Sequence, residues 1–178
     1  MPALETLNYL VALGAVGMQI IAVLLLVTLF FRKTPWGTAV SKIVGNHGLW
    51  IALLITLAGT LLSLVYSEYF GILPCGLCWF QRIFLYPQVV LFALAAFKKD
   101  HYIADYSIVL SALGGLIALY QHYLQMGGVD LLPCPATGVG DCAKRFIFEF
   151  GYMTFPLIAF SSFALLFVIM LFVRAQRS

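Results

Sequence analysis

Five long, predominantly apolar runs leave this chain few folds to choose from. They cover roughly residues 7–31, 49–66, 79–97, 103–123 and 153–173. Each is about 18–25 residues, enough to cross a hydrocarbon layer of about 30 Å as a helix. Lipid offers backbone N–H and C=O groups no partner, so each run must satisfy them internally, and helices follow. Of the 178 residues, 63% are hydrophobic and only 10% charged, against about 45–50% and about 25% in soluble domains. So short a chain has no core large enough to hide that surplus. The expected fold class is an all-α membrane protein of five spans.

The first run is expected to be a retained span. A cleaved leader needs a basic stretch before the apolar run; here only Glu5 precedes it, and the basic pair Arg32-Lys33 follows. The Lys/Arg bias sets orientation. With five spans, Arg32, Lys33, Lys42, Lys98, Lys99, Arg174 and Arg177 fall on one side, seven of the ten basic residues. Lys144 and Arg145 lie on the other, together with Glu5, Glu68, Asp130, Asp141 and Glu149. The basic side reads as cytoplasmic, with the N-terminus outside and the C-terminus inside. No dense basic stripe forms, so nothing points to nucleic acid.

The resulting division is an N-terminal span with a basic cytoplasmic linker over residues 1–48, a bundle over 49–173 and a tail over 174–178. Residues 125–151 form the longest connection, punctuated by Pro133, Pro135, Gly138 and Gly140. Its last part, residues 143–150, mixes charges with bulky apolar side chains and is expected to form a short interfacial helix. Gly114-Gly115 in the fourth span suggest close helix packing.

Span parity puts all four cysteines on the outer face, where disulfides persist. Cys75-Gly76-Leu77-Cys78 is a C-x-x-C directly before the third span. A thiol at a helix N-terminus feels the positive end of the dipole, which favours thiolate. Cys134 and Cys142, in the long outer loop, have seven residues between them, a loop short enough to close as a disulfide. Two neighbouring pairs suggest a relay by thiol–disulfide exchange. Two purely structural disulfides remain an alternative. A zinc site fits less well, because the second spacing is too wide for a zinc knuckle, so no metal is expected.

Arg82 stands four residues after Cys78, on the same helix face and inside a span. A charge at such depth is by default functional, and a planar guanidinium there can stabilise a thiolate or a charge developing on a quinone oxygen. The other reading is an arginine that snorkels to the headgroups. His122, beside Gln121 at the outer end of the fourth span, could donate to a quinone carbonyl or belong to the interfacial aromatic belt.

Taken in order, Tyr66-Ser67-Glu68, Pro74-Cys75-Gly76-Leu77-Cys78-Trp79-Phe80-Gln81-Arg82-Ile83, Tyr86-Pro87, Tyr120-Gln121-His122-Tyr123, Pro133-Cys134, Cys142 and Thr154-Phe155-Pro156 resemble the DsbB-type disulfide bond formation proteins. The short branch often called BdbC looks most similar. The resemblance covers about residues 48–173. It implies a four-helix bundle carrying the active site, here with one additional N-terminal helix. It also implies a thiol oxidase that reoxidises an extracytoplasmic thioredoxin-like (DsbA-like) carrier and reduces a membrane quinone, ubiquinone or menaquinone. By position, Cys134 would form the mixed disulfide with the carrier and Cys142 would be its mate. Cys75–Cys78 would reoxidise that pair, with Cys78 nearest the quinone, and Arg82 and His122 would stand on the quinone side. Two features depart from the family: the added first span, and a short Cys134–Cys142 spacing that limits how far Cys134 can swing. A vitamin K epoxide reductase-like enzyme is the rival activity, although its C-x-x-C is expected near the last span. A non-enzymatic subunit with structural disulfides is the rival class.

Overall fold

In the computed structural model, residues 2–129 and 142–176 are described. They form five helices: α1 (Pro2–Phe30), α2 (Pro35–Leu64), α3 (Gly76–Lys98), α4 (Ile103–Gln125) and α5 (Phe155–Ala175). All five are long and apolar enough to cross a membrane. Among the described residues there is no strand, only an isolated bridge between Glu149 and Met153. The chain is an all-helical, multi-pass membrane protein.

Two local expectations are corrected. The linker over residues 32–48 is helical from Pro35 onward. The apolar run begins only near residue 49, but local chemistry starts the helix well before it. Thr34 caps α2 by accepting from Gly37 N at 3.1 Å, and Pro35 occupies the first helical turn, where a missing N–H costs nothing. The early turns then pack: a Cβ on Gly48 would come within 2.5 Å of Val173, so only glycine allows this approach to α5. At 30 residues α2 is about 45 Å long and outreaches the hydrocarbon layer.

The interfacial helix expected over residues 143–150 does not form. Ile147 is buried, whereas Phe146, Phe148 and Phe150 are exposed, an alternation that suits extended chain better than one helical turn. Phe150 and Gly151 both take positive φ, 55° and 76°. They close the turn in which Glu149 and Met153 exchange backbone hydrogen bonds at 3.0 and 2.8 Å.

The bundle is built around α5. In its most apolar stretch 61% of residues are buried, against 17–33% for the other four helices. Phe163, Leu166, Ile169, Met170 and Val173 meet Ala52 of α2, Phe92 of α3 and Ala104 of α4 in one core. Gly114 serves close packing as expected, since a Cβ there would lie 2.5 Å from the Phe163 ring. The large apolar side chains left exposed, such as Ile20, Ile83, Leu94 and Leu116, are those that lipid covers. At its far end α2 widens into a π-helical turn, Val65–Tyr69, with Tyr66 turned inward and buried.

Candidate active site

The C-x-x-C forms the start of α3. Cys75 is the N-cap, with extended backbone, and its Sγ accepts from Cys78 N at 3.4 Å. A thiol therefore takes the place that Ser or Asp fills in most caps. This cap aims both sulfurs at each other, and the two free thiols lie 2.7 Å apart. Cys75 is buried at 4% exposure, beside Leu77, Leu124 and Cys142. Its thiol is pushed above the ordinary range, first by its hydrogen bond to the Cys78 sulfur and then by burial.

Cys78 looks the other way. Its side chain lines a cavity of about 610 Å³ bordered by α1, α2, α3 and α5, with contributions from α4. The walls are mostly apolar, and Gln81, Arg82 and Gln121 stand among the lining residues. Gln121 is almost fully buried. Its amide nitrogen donates to Cys75 Sγ at 3.1 Å and to Cys78 Sγ at 3.3 Å, while its Oε1 accepts from Gln81 Nε2 at 2.6 Å. The second contact fixes the amide so that both donors face sulfur, where negative charge develops when a thiol ionises.

Arg82 is equally well held. Its Nε donates to Ser63 Oγ and its Nη2 to the Ser63 carbonyl, both at 3.0 Å. The Tyr86 hydroxyl donates to the same Ser63 Oγ at 3.1 Å. The guanidinium also lies 5.3 Å from the Trp79 ring centroid and 5.9 Å from that of Tyr86, within cation–π range. These contacts keep a permanent charge in the cavity wall instead of letting it reach for the headgroups.

Cys142 is buried and disulfide-bonded, and it shares a cluster with Cys75. Cys134 lies outside the described residues. His122 is directed elsewhere: its Nδ1 meets Thr154 Oγ1, at the N-cap of α5, at 2.8 Å, and it is not among the residues lining the cavity. The structure thus brings together Cys75, Cys78, Arg82 and Cys142, and sets His122 against α5.

Three contributors escape a sequence reading. Gln121 and His122 are adjacent, and one helical position, a turn of about 100°, decides which one meets the sulfurs. Gln81 sits inside the motif as an ordinary amide, and Ser63 is one hydroxyl in an apolar helix. The available signal is a pair of glutamines deep in apolar spans, where an unpaired amide is costly. Among the described residues, no three His, Cys, Asp or Glu side chains gather as metal ligands.

An all-helical membrane bundle that sets a dithiol between a second buried cysteine and an apolar cavity defines a membrane dithiol oxidoreductase. The family model for Disulfide bond formation protein DsbB matches residues 46–173. Disulfide bond formation protein C of Bacillus subtilis (strain 168) is 33% identical over 141 residues, 78% of this chain and 98% of that protein. A probable disulfide formation protein C of Halalkalibacterium halodurans is 34% identical over 130 residues, 73% and 93% of the two chains. The SPbeta prophage-derived disulfide bond formation protein B of Bacillus subtilis is 39% identical over 109 residues, 61% and 73%. No solved structure matches. The chain belongs to the DsbB family of disulfide bond formation proteins, and its role is membrane-bound disulfide formation.

Proposed function

We propose that this protein is a thiol:quinone oxidoreductase that reoxidises an extracytoplasmic thioredoxin-like dithiol carrier. The observation that carries the reading is the placement of Cys78, with Cys75 and Cys142 behind it and the cavity in front. The cysteines face the outer compartment, the N-terminus is outside and the C-terminus is cytoplasmic. The basic residues on the opposite side support that orientation.

The cavity suits a quinone. About 610 Å³ of largely apolar space holds a ring with a hydrocarbon tail, and Arg82, Gln81 and Gln121 gather polar atoms near Cys78. A bound quinone supplies a two-electron acceptor that takes up two protons. The chain's part begins when the carrier's thiolate attacks Cys134 and opens its bond to Cys142. The carrier's second thiol resolves the mixed disulfide, leaving the carrier oxidised and Cys134 and Cys142 as thiols. Exchange with a Cys75–Cys78 disulfide then re-forms the Cys134–Cys142 bond and leaves Cys75 and Cys78 as thiols. These two thiols then form one S–S bond, giving up two electrons and two protons. Gln121 donates to Cys78 Sγ and steadies charge on it as the proton leaves. Arg82, pinned by Ser63, offers a fixed positive charge where an acceptor oxygen gains density.

The direct test mixes purified protein with the reduced carrier and a quinone and follows quinone absorbance. Catalytic loss of quinone that depends on both cysteine pairs is expected. Equal rates with and without the protein would overturn the assignment.

A further inference from the structure

Helix α1 lies outside the residues that the family model matches, yet it forms part of the cavity. Its two working faces are distinct. Along one, Asn8, Ala12, Ala15 and Gln19 recur at helical spacing and make the seam to the bundle. Ala12 and Ala15 are fully buried against Met153 and Leu157. Asn8 Oδ1 accepts from the Tyr66 hydroxyl at 2.8 Å, and Gln19 Nε2 donates to Ser161 Oγ at 2.8 Å. Polar contacts of this kind, with small residues between them, fix helices in lipid. Along the second face, about a third of a turn away, Leu10, Val11, Gly14 and Met18 line the cavity.

The seam holds α1 at Asn8 and Gln19. Met18 also packs against the core and accepts from Ser162 Oγ at 3.8 Å, which leaves Leu10, Val11 and Gly14 as the open part of the strip. The strip spans about 12 Å of helix and carries no polar side chain, so it recognises hydrocarbon. Cys78, Gln81, Arg82 and Gln121 belong to α3 and α4. At the middle of the strip, a Cβ on Gly14 would meet nothing within 4 Å. Gly14 therefore leaves room that a side chain would take up.

We propose that α1 is the wall of a subsite for the acceptor's isoprenoid tail, and that Gly14 determines how much tail the subsite accepts. The inference rests on the quinone reading above and adds to it a specificity-determining position outside the family match. Because a Cβ at Gly14 would meet no atom within 4 Å, Gly14→Leu and Gly14→Phe are the substitutions suited to filling the subsite. Gly17, on the same helix, also has nothing within 4 Å but does not line the cavity, so Gly17→Phe controls for a bulky residue in α1.

The test is equilibrium binding to the oxidised full-length protein, read from quenching of tryptophan fluorescence. The probes are one quinone with a long isoprenoid tail and one with the same ring and no tail. Gly14→Phe is expected to weaken the tailed quinone by about tenfold or more, through lost burial of a few methylene groups. The tail-less ring should bind as before, and Gly17→Phe should change neither. Equal weakening of both probes by Gly14→Phe, or of neither, overturns the tail subsite while leaving quinone reduction intact. If the wild type binds neither probe, the quinone reading itself fails and takes the inference with it. A tailed quinone photoreactive at its far end gives a measurement that needs no variant. Labelling within residues 10–18 supports the wall, and labelling confined to other helices contradicts it.

Discussion

The two sides of the cavity differ in kind. The α3–α4 side is chemically armed: Cys78, Gln81 and Gln121 hold one another in place through hydrogen bonds of 2.6–3.3 Å, and Arg82 is pinned beside them by Ser63. The α1 side is inert, a strip of Leu10, Val11, Gly14 and Met18. On the armed side Gln81, Arg82 and Gln121 are each bonded to a neighbour or aimed at sulfur, while Gln125 Oε1, also in the lining, has no hydrogen-bond partner among the described residues. On the inert side the polar groups of α1, Asn8 and Gln19, are turned into the seam. If, as proposed, reaction falls to α3 and α4 and fit to α1, substitutions on the two sides should fail in different ways.

Four changes would break or sharpen that contrast. Cys78→Ser removes the sulfur facing the cavity and should lower steady-state quinone reduction by at least about 100-fold, because no neighbouring group can replace a thiolate donor. Arg82→Ala should cost about 10- to 100-fold in kcat/KM, the range for losing one fixed, charged donor. If Arg82→Ala keeps wild-type kcat/KM, the guanidinium is only a brace for Ser63 and Tyr86. Gln121→Leu keeps the volume but withdraws both donors from the sulfurs, and about a tenfold slower single turnover is expected. The smallest effect belongs to the inert side. Asn8→Leu strands the Tyr66 hydroxyl and should lower thermal stability by about 1 kcal/mol while leaving the chemical step within about twofold of wild type. A large loss of the chemical step in Asn8→Leu would erase the distinction between the two sides.

The difference also explains what was legible in the sequence. The five spans follow from length and hydropathy, because lipid imposes a simple rule on any segment that crosses it. Cys75, Cys78 and Arg82 stand out because thiols and a charge are rare in such segments. Gln121 did not, since one helical position separates it from the more conspicuous His122, and only the packing of α4 decides which one reaches the sulfurs. The role of Leu10, Val11 and Met18 has no signal at all: an apolar residue facing lipid and one facing an apolar cavity read identically. The extent of α2 was missed for the opposite reason. Arg32, Lys33 and Lys42 mark water, and a helix that outreaches the hydrocarbon layer passes through water without ending.

Buried polar pairs away from the site do a different job. Gln88, fully buried in α3, accepts from Ser107 Oγ of α4 at 2.7 Å and donates to the Phe84 carbonyl at 2.8 Å. That contact aligns α3 with α4 and so helps set Gln121 opposite the C-x-x-C. It resembles the Asn8–Tyr66 contact in chemistry and acts only on packing.

The central claim is that two cysteine pairs work in series and that Cys75–Cys78 is the pair that meets the acceptor. A single-turnover measurement on the Cys134→Ser, Cys142→Ser double variant, with Cys75 and Cys78 reduced beforehand, tests it directly. One equivalent of quinone per chain should disappear at the wild-type rate, with no further turnover when reduced carrier is supplied. An absent burst, or continued turnover with the carrier, would contradict the series arrangement.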